Sequence, residues 1–169
     1  VAVSWEILRS YRAPREVMRR LMAATERDPR PEARGFIYLM VGCLIIYLSQ
    51  VPDLVMQGTG AEGEAPMDAR LAITFFAWIF VWPLLFFALA GISHLVARAL
   101  GGAGQGINAR LALFWSVLAV SPLFLLRALA GLAGNAQAQM AMSVIVAVAF
   151  VAIWSLSLIE AERPEGAAP

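Results

Sequence analysis

The residues of this 169-residue chain that could do chemistry are few and scattered. The single histidine, His94, has no carboxylate beside it in sequence, so neither a nucleophile–base arrangement nor a metal set is in view, and a packing or hydrogen-bonding role is expected. Cys43 is the only cysteine, which rules out an intrachain disulfide and a cysteine metal cluster; it reads as a small buried apolar residue. No serine sits in a G-x-S-x-G pattern. The run Gly101-Gly102-Ala103-Gly104-Gln105-Gly106 follows an apolar helix instead of a strand and lacks the lysine and hydroxyl that grip phosphate and magnesium, so it reads as a tight, flexible turn. The stretch from Gln57 to Asp68, with Glu62 and Glu64, has no histidine pair and no calcium-loop spacing and reads as a short acidic loop in water. No catalytic, cofactor-binding or metal residue is therefore assigned, and the chain is not expected to be an enzyme.

The elements that would position these residues are membrane helices. Hydrophobic residues make up 60% of the chain, charged residues 15%, and the mean hydropathy is +0.72. Four apolar segments, at about 35–56, 71–100, 109–133 and 138–160, each approach or exceed the roughly 20 helical residues that cross a bilayer core. The expected fold is all-α: a polytopic membrane domain of four transmembrane helices over 35–160, an amphipathic interfacial segment over 1–34 and a disordered tail over 161–169. The second span is too long for the hydrocarbon core and must tilt, project or kink at Pro83; the third has its own bend site at Pro122. Ala112 and Ser116 of span three and Ser143 and Ala147 of span four have the small-xxx-small spacing that lets backbones approach, by intrachain packing or by self-association.

The first 34 residues carry eight of the thirteen arginines and lack the apolar core of a cleavable signal peptide, so the first span is expected to deliver the chain to the membrane. Trp5, Leu8 and Tyr11 fall near one another on a short helix. After Pro14, the residues Val17, Met18, Leu21 and Met22 recur opposite Arg15, Arg19 and Arg20. Such a helix either packs on the base of the bundle or places its apolar side in the acyl boundary and its guanidinium groups among lipid phosphates, as a docking surface for anionic lipid or a partner. Five acids interrupt the basic run, which argues against nucleic acid.

Counting arginines near the span ends puts the N-terminal eight, Arg98, Arg110 and Arg163 on one side and Arg70 and Arg127 on the other. By the positive-inside rule both termini are expected to be cytoplasmic. Asp53 and Arg127 then approach the same outer interface, where a pair lowers the cost of a charge near lipid.

The run from His94 through Gly102, then Ala109 to Trp115 and Ser121-Pro122, resembles the Yip-domain family of membrane proteins, especially its bacterial members; Tyr11 through Leu21 and Trp154 extend the likeness. That family commonly has five spans where this chain has four. Its eukaryotic members bind Rab-type GTPases, and the resemblance implies a polytopic protein that works through contacts, with no catalytic residue to transfer. The expected function is a non-enzymatic adaptor or accessory subunit of a larger inner-membrane complex, its partners being membrane lipids and other integral membrane proteins. Two alternatives stand beside it: a small transporter or channel component formed by oligomerisation, and a lipid-sensing or membrane-shaping protein acting through Trp5 to Met22.

Overall fold

At the centre of the structure, a computed structural model that describes residues 3–56 and 66–163, stands one helix in which every residue from Leu111 to Ser121 is buried. The rest of the chain encloses this apolar stretch on all sides. The elements are α1 (Val3–Ser10), α2 (Pro14–Glu26), α3 (Pro31–Met56), α4 (Met67–Phe76), a π turn (Ala77–Val81), α5 (Trp82–Ala99), the central α6 (Gly106–Leu132) and α7 (Ala136–Ala161). No strand occurs among the described residues. Four stretches, α3, α4 through α5, α6 and α7, are long and apolar enough to cross a membrane. The chain is an all-α polytopic membrane protein.

Helix starts follow local chemistry. Pro31 opens α3, ahead of the expected position, because its fixed φ suits a first helical residue. Asp28 prepares that start by accepting the Arg30 amide at 2.9 Å. Asp68 lies in the first turn of α4 and not in a loop, which is a correction; Glu62 and Glu64 lie outside the described residues. Between α6 and α7 only three residues are needed. Gly134 takes φ +69°, the Gly134 and Asn135 amides reach back to Gly131 and Ala130 at 2.9 and 3.3 Å, and Asn135 caps α7 by accepting the Ala138 amide at 2.9 Å.

That short turn sets the antiparallel register. Gly131 lies beside Gln139, Arg127 beside Ser143, and Val120 in one cluster with Ile153. Ser143 and Ala147 are thus level with the end of α6 and not with Ala112 and Ser116, so the two motifs do not face each other. Ala112 shares its buried cluster with Ala161 instead. On α7 the small residues at helical spacing that are enclosed are Ser157 and Ala161.

Helices α3 and α6 run in the same direction and make the tightest crossing. A Cβ on Gly42 would stand 3.1 Å from the Leu118 amide nitrogen and 3.1 Å from Val117, and Tyr38 packs edge-on against Trp115 with centroids 5.2 Å apart.

The two helix prolines are accommodated differently. Ahead of Pro83, whose ring would collide with the carbonyl four residues back, the ladder widens into the π turn and Trp82 donates to Ala77 across five residues. At Pro122, α6 continues unbroken. Proline has no N–H to give Leu118, and the Ser121 hydroxyl supplies that carbonyl at 2.8 Å.

The N-terminal hairpin of α1 and α2 lies against α6 and α7. Val17, Met18 and Leu21 are buried in one cluster with Tyr38, Leu111 and Trp115, so the apolar side of α2 faces protein and not the acyl boundary. Trp5 and Leu8, each 63% exposed, keep the outward position.

Candidate functional site

The most polar buried region forms where the end of α5, the glycine connector and the end of α7 meet. Gly101, at φ +93°, turns the chain out of α5, and the amides of Gly101 and Gly102 close the helix on Arg98 and Ala97 at 3.0 and 2.8 Å. The next amide, Ala103, donates to the Glu162 carbonyl at 3.1 Å. A Cβ on Gly104 would collide with the Ala161 carbonyl. Close backbone approach, and not only a tight turn, is what these glycines permit.

This wrap delivers Glu162 to His94. The imidazole Nδ1 and the Glu162 Oε1 share a hydrogen bond of 2.6 Å across 68 residues of sequence, and a Cβ on Gly106 would stand 3.4 Å from the ring Cδ2. The Glu162 side chain is 6% exposed and that of His94 17%. The neighbouring Glu160, also buried, is held by Arg19 at 3.0 Å and Arg163 at 3.4 Å. Residues 161–163, expected in a disordered tail, therefore belong to the packed structure; the remaining tail residues lie outside the described ones. Sequence reasoning missed this pair because its members are remote along the chain. The available signal was a glutamate following one span and a histidine ending another, on the same side by topology.

Chemically, the region offers a histidine–carboxylate pair and a surplus of hydrogen-bonding capacity. Glu162 Oε2, Trp154 Nε1 and Ser157 Oγ are buried without hydrogen-bond partners among the described residues. Glu162 and Trp154 both line a cleft of about 620 Å³ between α5 and α7, walled by Leu89, Ile92, Val96 and Leu158. Among the described residues, no third histidine, cysteine or carboxylate joins the pair to make a metal set.

At the opposite end, Asp53 and Arg127 stand 3.5 Å apart. Each has a second partner: Gln139 donates to Asp53 at 3.1 Å and Arg127 Nε donates to Ser143 at 2.9 Å. Arg127 and Ser143 also border a second, more apolar cleft of about 300 Å³, lined by Trp78, Trp82 and Phe150. Trp78 and Trp82 stack at 5.0 Å across the π turn, and Ala147 faces the same cleft.

The N-terminal candidates divide. Trp5, Leu8 and Tyr11 are all exposed, but the Tyr11 hydroxyl reaches inward and donates to the Ala119 carbonyl at 2.5 Å. Partial burial pushes the Tyr11 hydroxyl pKa above its usual 10.0. Beside it, Trp115 donates to the Ser10 hydroxyl at 2.9 Å, giving the indole the partner it needs at depth. Arg19 is committed to Glu160, and Arg20 pairs with Glu16 at 2.8 Å and with Glu6 at 3.7 Å. Arg15 is half-buried, with no hydrogen bond from its Nε among the described residues. Glu16 also accepts from Arg9 at 2.7 Å, and this bond, with the nearby charges of Arg9 and Arg20, holds its carboxyl below 4.5.

No protein-family model, curated protein or solved structure matches the chain.

Proposed function

We propose that the protein is a non-enzymatic accessory or adaptor subunit of a larger assembly in the membrane, working through the outward faces of its spans. The observation that carries this reading is the asymmetry of burial. In the apolar stretch of α6, 67% of the residues are buried, against 11% for α4 through α5 and 17% for α7. The exposed side carries large groups, among them Phe76 and Phe80 stacked at 5.0 Å, and Leu84. Exposed apolar surface of this extent serves for contact with lipid or with other membrane helices.

Membership of the Yip-domain group belongs to the same proposal and rests on the His94–Gly102, Ala109–Trp115 and Ser121-Pro122 runs. An orientation with both termini cytoplasmic follows the arginine bias, and a bacterial inner membrane follows from the resemblance to the bacterial members of that group. It is supported by the convergence of Arg19, Arg163 and Arg110 at one end of the bundle, through their contacts with Glu160 and Glu32.

Gentle detergent extraction at native expression level, native-size separation and mass spectrometry test the reading. Co-migration with one defined complex at fixed ratio is the expected result. Migration alone or as a pure homo-oligomer overturns it, and reconstituted solute flux would then address the transporter alternative.

A further inference from the structure

We propose that the cleft between α5 and α7 seats one glycerophospholipid with a primary-amine headgroup, its ammonium on Glu162. This inference is independent of the accessory-subunit reading. The Glu162 side chain is 6% exposed, and only one of its two oxygens is satisfied, by His94 at 2.6 Å. The other oxygen, enclosed beside Gly102, has no hydrogen-bond partner among the described residues, and the residue itself lines the cleft. A buried carboxylate oxygen carries negative charge and accepting capacity, and its natural complement is a charged N–H donor.

The remainder of the cleft selects what the ammonium is attached to. Its walls, Leu89, Ile92, Val96 and Leu158, are apolar, which suits an acyl chain. Trp154 lies eight residues before Glu162 on α7, about 12 Å deeper at 1.5 Å per residue. Its indole N–H also lacks a hydrogen-bond partner among the described residues. A donor at that depth suits the ester region of a lipid whose amine lies at the helix end. At about 620 Å³ the cleft admits a head and the upper part of a chain, within the usual range of ligand sites, and leaves the rest in the bilayer. A choline head has no N–H to give Glu162, and a glycerol head brings no cation. Discrimination by the head is therefore built into the site.

The test uses the purified full chain reconstituted in vesicles of equal parts phosphatidylethanolamine, phosphatidylcholine and phosphatidylglycerol, then released in detergent for native mass spectrometry. The expected result is one retained phosphatidylethanolamine per chain, enriched about tenfold or more over either other lipid, as the loss of one charge-assisted hydrogen bond implies. Glu162→Gln should reduce retention to the level of the other lipids, and Trp154→Phe should lower it several-fold with helicity unchanged. Equal retention of all three lipids overturns the proposal. So does retention unchanged in Glu162→Gln, or a cleft holding detergent alone or the lysine of a co-purifying membrane helix. Should Glu162→Gln fail to fold, Ile92→Trp decides: filling the cleft must abolish retention, and persistence of the lipid refutes the site.

Discussion

Tyr11 donates its hydroxyl to the backbone carbonyl of Ala119 across 108 residues of sequence. Ala119 is three residues before Pro122, in the turn where the proline disturbs the α6 ladder. Ser121 supplies the Leu118 carbonyl that the proline leaves without an amide donor, and the Tyr11 bond adds a side-chain donor to the next carbonyl of the same turn.

Tyr11→Phe should therefore weaken the docking of the N-terminal hairpin by about 1–2 kcal/mol, the cost of one unmade hydrogen bond to a buried carbonyl. Hydrogen exchange in α1 should rise while exchange in α3 stays unchanged. The bond also needs the protonated hydroxyl, and burial raises the Tyr11 pKa above 10.0. Its contribution is fully present below pH 10.0 and is lost as pH rises through the raised value. An alkaline step in α1 protection that is absent from the phenylalanine variant is the expected reading; the same step in both proteins would assign it elsewhere.

Acid should loosen the same hairpin from its other side. Glu16 has a carboxyl pKa below 4.5, through Arg9 first and then Arg20. Its contribution is present above pH 4.5 and disappears as pH falls through the lower folded value. Because Glu16 is exposed, salt should mask the effect. Helix α1 protection followed from pH 6 to pH 3 should show an acid limb that Glu16→Gln lacks, and raised salt should flatten the wild-type limb.

Gly42→Ala places a methyl at the closest approach of α3 and α6, 3.1 Å from the Leu118 nitrogen. Backbone cannot yield as a side-chain tip can, so a loss of about 1–3 kcal/mol is expected. Gly91, where an added Cβ would meet nothing within 4 Å, provides the control. Thermal unfolding in detergent should separate the two substitutions, and equal midpoints would contradict the close crossing.

Asp53→Ala and Arg127→Ala should each cost about 1–3 kcal/mol, since each leaves a partly buried charge without its ion-pair partner. A double-mutant cycle gives the coupling directly. Exchanging the two side chains should recover only part of the loss, because Gln139 now donates to Asp53 and Arg127 donates to Ser143. Full recovery would mean that the flanking hydrogen bonds contribute nothing.

Hydropathy was enough to locate the four spans, because each must be apolar over its full crossing length whatever it packs against. Topology was enough to bring Asp53 and Arg127 to one end. Register was harder. Small residues recur along the whole of α7, so the Ser143/Ala147 spacing does not select its neighbours; the three-residue turn at Gly134 does. The His94–Glu162 pair was illegible for a related reason. It exists only because the glycine connector folds back over the end of α7, and a run of glycines in sequence announces freedom without saying which backbone it will approach. The apolar side of α2 is ambiguous in principle, since a bilayer and a protein core ask for the same residues.

The enclosed position of α6 imposes an order on biogenesis. Val17 and Met18 leave the ribosome about a hundred residues before Leu111 and Trp115, the floor on which they come to rest. Throughout that interval Tyr38 on α3 is the one member of the buried cluster available to the hairpin, and the amphipathic character of α2 suits it to the membrane surface until α6 follows. Helix α6 in turn enters the bilayer with one flank open, until Ile153 arrives to cover Ala119 and Val120. Any factor that chaperones this chain during synthesis would meet two temporary surfaces, an unseated N-terminal hairpin and a half-clad central helix, neither of which survives in the finished protein.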